Sequence, residues 1–168
     1  MKTQVVKYLN KHLTSNMEGK TIIITGGNSG IGFEVAKNCV YLKMKVIIAC
    51  RNLSRGEEAI KQIKTEFSDA HIRLIHLDLA KFSSVHEFSN IVMNEHIIVD
   101  VFYHKAGVYK MPNTITEDGF DLTLQTNYLS VVLLDSLLKE YYLSLNRDVK
   151  IIYTTSFTTV MGKVKHDD

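Results

Sequence analysis

The chain has 168 residues, 45% of them hydrophobic and 23% charged, with one proline and no tryptophan. That length holds one domain with a real core rather than two, and a formal net charge of +2 makes no electrostatic case for nucleic acid or an anionic membrane as a partner. Cys39 and Cys50 suggest no disulfide framework, only reduced, partly buried thiols, and the seven histidines show no ligand spacing that would hold a metal.

In chain order, the stretch MKTQVVKYLNKHLTSNMEGK has no uninterrupted apolar run of signal or membrane-span length. Val5, Val6, Leu9 and Leu13 fall along one side of a possible helix. Residues 1–18 therefore read as a lead-in helix packed on the domain, with a membrane-surface helix as the alternative. A soluble protein of a reducing, cytoplasmic compartment is the expectation, with peripheral membrane association left open.

The domain itself runs over 19–168. Thr21 to Thr25 is a first strand, and a helix from about Gly30 to Leu42 follows, with Ile31, Val35, Ala36, Cys39 and Val40 on one face. VIIAC, Val46 to Cys50, does not alternate with polar residues and reads as a strand buried on both sides. Ser54 and Glu57 have capping-box spacing ahead of a helix carrying Ala59, Ile60, Ile63 and Phe67. A third strand, Ile72 to Leu77, ends at Asp78. Ser84 and Glu87 repeat that spacing before Val85, Phe88, Ile91 and Val92. VFYH, Val101 to His104, is a fourth strand. A long helical stretch, Glu117 to about Leu145, is apolar almost all round, as a helix buried between other elements would be. IIYT, Ile151 to Thr154, is the fifth strand. Strand–helix alternation of this kind predicts an α/β, doubly wound parallel sheet with right-handed crossovers. Its ligands bind outside the carboxyl ends of the strands, where the winding reverses.

At the first such end stands TGGNSGIG, with Gly26, Gly30 and Gly32. Glycines are needed where a chain turns tightly and where backbone must approach a pyrophosphate without a Cβ between. The N–H groups of the following helix then point at the anion.

TGGNSGIG resembles the cofactor motif T-G-x-x-x-G-x-G of the short-chain dehydrogenase/reductase family. ACRN after the second strand, LDLA after the third, KAGV after the fourth, QTNYLS in the long helix and KIIYTTS at the fifth strand resemble that family in the same order. ACRN, TEDGF, QTNYLS and the tail GKVKHDD are most similar to its retinol-dehydrogenase-like members. The resemblance implies a Rossmann-type fold over roughly Gly19 to Asp168. It also implies roles. Gly26, Asn28, Ser29, Gly30, Ile31 and Gly32 would wrap the pyrophosphate and adenosine ribose. Asp78 and Leu79 would bracket the adenine, and Ala106 and Gly107 would line the cofactor trough. Asn127 and Ser156 match two of the family's catalytic Asn-Ser-Tyr-Lys set.

The residue after the second strand discriminates between nicotinamide cofactors. An acid accepts from a free ribose 2′-OH, whereas an arginine pairs with a 2′-phosphate. Here Arg51 is followed by Asn52 with no acid within two residues, which favours NADP(H) over NAD(H).

The family's tyrosine and lysine, spaced i, i+4 on one helix face, follow the serine. The one Y-x-x-x-K match in this chain is Tyr41 to Lys45, between the first helix and the second strand and so across the sheet from any cofactor. Twelve residues follow Ser156, none of them in that pattern. The sequence thus reads as a fragment, a truncated gene product or an incomplete gene model, carrying five strands of an incomplete family sheet. Absence of the acid–base group costs roughly 10²–10⁴ in rate, so activity of this chain alone is expected to be close to none. The fifth strand would be an exposed edge, and Leu133, Leu134, Leu137 and Leu138 would be partly uncovered. A family-like homodimer is therefore not assumed. His104 and Lys105 stand where the family has two asparagines, and neither reproduces an amide; Lys105 could instead attract a cofactor phosphate.

The leading reading is the cofactor-binding half of an NADP(H)-dependent oxidoreductase whose parent takes a small apolar carbonyl or alcohol substrate. The alternative is a non-catalytic dinucleotide-binding or regulatory protein.

Overall fold

The structure, a computed structural model, describes residues 17–109 and 114–156. The lead-in helix expected over 1–18, apart from its last two residues, and the tail GKVKHDD lie outside the described residues.

Five parallel strands form one sheet: β1 (Thr21–Thr25), β2 (Lys45–Cys50), β3 (Ile72–His76), β4 (Val101–His104) and β5 (Lys150–Tyr153), ordered β3-β2-β1-β4-β5. The chain winds outward from β1 to β3, then returns and continues on the other side of β1. The crevice where a ligand is held in such sheets therefore opens between β1 and β4.

Helices α1 (Gly30–Tyr41) and α2 (Leu53–Glu66) cover one face, and α3 (Phe82–Asn94) and α5 (Ser130–Ser144) cover the other. Ile22 and Ile24 of β1 pack with Ala36, Val40 and Ile63 on the first face. Ile23 points the opposite way, to Phe88, Phe102, Leu134 and Leu138. Both faces of the central strands are thus dry, which is why β1 and β2 carry unbroken apolar runs: β1 is buried throughout, and β2 from Val46 to Cys50.

Several local expectations are corrected. The α2 cap is Asn52, whose Oδ1 accepts from Arg55 N at 2.9 Å, not Ser54. At α3 the first N–H, that of Phe82, donates to Asp118 Oδ2 at 2.8 Å from a distant loop. Ser84 is instead buried, and its Oγ accepts from Asp78 N at 2.9 Å. Ile31 is 66% exposed and does not belong to the core face of α1.

The helix expected from Glu117 begins only at α4 (Leu122–Leu124), continues as a π-helical turn (Gln125–Leu129) and then becomes α5. Gly119 at φ +87° and the antiparallel bridge of Ile115 to Asp121 occupy the preceding residues, and Asp121 Oδ1 caps the start through Leu124 N at 2.9 Å. Leu134 and Leu138 are fully buried, because α3 packs Phe88 and Val92 against them. Leu133 and Leu137 are only partly buried. At the sheet edge, Ile152 and Tyr153 of β5 are 39% and 53% exposed.

Candidate functional site

The turn from β1 into α1 folds closely on itself. A Cβ on Gly32 would stand 2.4 Å from the Gly26 carbonyl oxygen, so no side chain fits there. Gly30 sits at φ +54°, where an L side chain is strained, and a Cβ there would meet nothing within 4 Å. The surface above Gly30 is therefore open backbone. Ser29 at the N-cap makes no side-chain cap, and no acid lies in the first turn of α1. The positive end of a twelve-residue helix thus faces that opening with no carboxylate of its own to offset it.

Thr25, at the carboxyl end of β1, is 1% exposed, and its Oγ1 accepts from both Lys105 N and Ala106 N at 3.0 Å. One hydroxyl therefore fixes the turn after β4 against the glycine turn. Further along, the Asn127 side chain accepts from Val108 N and donates to Val108 O, both at 2.8 Å. The π-helical turn is in this way tied to the same segment.

A cleft of about 560 Å³ lies between these turns, and all twelve residues assigned from the sequence to a dinucleotide line it. Gly26, Asn28, Ser29, Gly30, Ile31 and Gly32 form one wall. Arg51 and Asn52 stand at the end of β2, and Asp78 and Leu79 at the end of β3. Ala106 and Gly107 close the other side. Asp78 Oδ1 accepts from Ala80 N at 3.0 Å, which orients the carboxylate, whereas Leu79 sends its side chain into the core and its carbonyl accepts from Ser130 Oγ at 2.6 Å. Asn52 divides its side chain between the cleft edge and the α2 cap.

The two residues matched to catalysis are placed differently. Asn127 is not itself in the cleft lining but borders it, bonded to Val108 and with its Oδ1 3.4 Å from where a Gly107 Cβ would stand, and Ser156, exposed beyond β5, is not part of the cleft lining. Tyr41 ends α1 and Lys45 begins β2, at the amino ends of the strands, so they are remote from the cleft. A larger concavity of about 1380 Å³ surrounds β5 and α5; none of the twelve residues lines it.

Thr25, Arg55 and Lys105 also line the cleft, and the sequence reading gave the first two no role. Arg55 carried a signal. A cation in the first turn of a helix opposes the helix dipole, and such a local misfit is explained by an anion nearby. Thr25 carried one as well, as the threonine that opens the T-G-x-x-x-G-x-G pattern, but that pattern does not say which backbone groups its hydroxyl accepts from.

The open glycine turn, the uncapped helix end and two arginines at the far wall suit a dinucleotide: backbone N–H groups for the pyrophosphate, cations for further phosphate charge. Bound there, a nicotinamide cofactor would supply hydride transfer.

The profile of the short chain dehydrogenase family matches residues 20–166. Human retinol dehydrogenase 13 is 36% identical over 154 residues, which are 92% of this chain and 46% of that protein. The chain thus spans about half the length of the curated relatives it matches. A solved short chain dehydrogenase/reductase family protein superposes with a TM-score of 0.68 at 26% identity, covering 86% of this chain and 58% of the other. A metagenomic short-chain oxidoreductase in complex with NADP shares the fold, with a TM-score of 0.72 at 21% identity over 85% of this chain and 65% of its own. Members of this family bind nicotinamide dinucleotides. By profile, identity and fold together, the chain belongs to the short-chain dehydrogenase/reductase family, among its retinol-dehydrogenase-like members.

Proposed function

We propose that this chain is the NADP(H)-binding half of a carbonyl/alcohol oxidoreductase whose whole protein acts on a small apolar substrate. The observation that carries the reading is the pair Arg51 and Arg55, both lining the cleft wall at the end of β2 where a ribose 2′-substituent would sit. No Asp or Glu falls between Cys50 and Gly56, so a free 2′-OH finds no carboxylate acceptor there. A 2′-phosphate would find two guanidinium groups, each a planar fork of N–H donors that suits phosphate oxygens. Lys105 adds a third cation to the lining.

Calorimetric titration of the protein with NADPH and NADH tests this. Charge-assisted hydrogen bonds contribute about 1.5–3 kcal/mol each, so NADPH should bind roughly 10- to 100-fold more tightly. Arg51→Ala should remove most of that preference, and Arg55→Ala a smaller part. Equal affinity of the unaltered protein for the two cofactors would refute the arginine argument.

A second reading, a dinucleotide-binding protein without turnover, is favoured by one observation. Both ends of the Asn127 amide are engaged by Val108. Carbonyl reduction by the 168-residue chain would exclude that reading; NADPH binding without turnover would favour it. The cytoplasm remains the proposed setting; no described helix is long and apolar enough to cross a membrane.

A further inference from the structure

His104 ends β4 and lies directly opposite Tyr153 of β5 in the parallel register. The two rings are stacked, 5.1 Å between centroids and 4° between planes. Phe102 adds a second ring contact with His104 at 4.5 Å. Below the rings, one carboxylate serves both. Asp135 of α5 meets His104 Nε2 with Oδ1 at 2.9 Å and accepts from the Tyr153 hydroxyl with Oδ2 at 2.5 Å. The His104 side chain is 3% exposed and that of Asp135 21%. Nδ1 of His104 is buried and meets no partner among the described residues.

These contacts fix the proton. A carboxylate only accepts, so the imidazole hydrogen must sit on Nε2. The same three residues join β4, β5 and α5, and they do so at β5, an edge strand whose sheet neighbour among the described residues is β4 alone. Beyond Tyr153 the chain runs on through Thr154, whose N–H donates to the His104 carbonyl at 3.1 Å, toward Ser156.

We infer that His104, Asp135 and Tyr153 form a clamp in which the Asp135 carboxylate, shared by the imidazole Nε2–H and a phenol, fastens the β5 edge to the long helix and positions the strand end that carries Ser156. All three are positioning residues; none lines the cofactor cleft. The clamp stands independently of the dinucleotide reading, and only its service to Ser156 rests on that reading.

Nitrogen-15 NMR of the histidine ring, with amide exchange of Thr154 read against Val46 in β2, tests the clamp. His104 should carry a hydrogen on Nε2. Tyr153→Phe, which removes only the hydroxyl, should speed exchange at Thr154 about tenfold, the equivalent of one lost hydrogen bond, and leave Val46 unchanged. Asp135→Asn should do so more strongly and also disturb the tautomer, because an amide can donate as well as accept. NADPH affinity should hold in both variants, which separates failure of the clamp from failure of the cofactor reading. An Nδ1–H tautomer in the unaltered protein, or unchanged Thr154 exchange in Tyr153→Phe, would overturn the inference.

Discussion

Strands β2 and β5 begin almost alike, Lys45-Val46-Ile47-Ile48 against Lys150-Ile151-Ile152-Tyr153, and end in different environments. Every residue of β2 from Val46 onward is buried. In β5 only Ile151 is even half-buried. The difference lies in neighbours rather than in the strands. β2 has a strand on each edge and helices on both faces, whereas β5 has β4 alone and leans on α5 through His104, Asp135 and Tyr153. A β-branched run states that a strand will form; the sheet decides what it is worth.

The comparison is broken most directly at Ile48, which is fully buried. Ile48→Ala should cost about 2–5 kcal/mol by loss of burial and a residual cavity, read as a lower urea midpoint at unchanged slope. A smaller effect comes from alkaline titration. Burial first, and then the hydrogen bond to Asp135, push the Tyr153 phenol up to about 12. A pKa raised on folding means that the native state holds its proton longer. This share of stability is complete below about pH 10, the ordinary tyrosine value, and is lost as pH rises toward 12. Tyr142, buried and also pushed up, adds to the same decline. Unfolding midpoints measured across that range should fall, and Tyr153→Phe should fall less steeply. The smallest effect belongs to Ile152. Ile152→Ala should change stability by less than about 1 kcal/mol, and Ile152→Lys should reduce self-association seen by light scattering, since a charge blunts an exposed edge. Equal losses for Ile48→Ala and Ile152→Ala would end the contrast.

The cysteines show a similar split on one face of the sheet. Cys39 is pushed up to about 11 by burial, and Cys50, also raised by burial, is partly offset by its contact to the Asn52 carbonyl. Neither thiol is poised for reaction at neutral pH.

Much of the site was legible in TGGNSGIG and in the residues after each strand. Glycine spacing reports a turn that is closed to side chains, and Arg51 reports charge at a defined distance along the chain. Both are local, and local chemistry is written in order. The helix caps misled because Ser-x-x-Glu spacing competes with partners that are distant in sequence. Asp118 took the α3 cap from across a loop, and Ser84 was drawn inward to Asp78 N. Gly119 and Asp121 delayed the long helix, although its apolar pattern begins earlier.

The sequence by itself determined the five strands, their parallel winding and the glycine turn, because hydrophobic period and backbone freedom are properties of neighbouring residues. Only the tertiary structure decided that Thr25 holds the turn after β4, that Arg55 joins Arg51 at the cleft, and that His104 finds Asp135 and Tyr153. Those contacts span residues up to 81 positions apart. Their partners are selected by which groups the folded sheet brings within hydrogen-bond reach, and no local pattern encodes that.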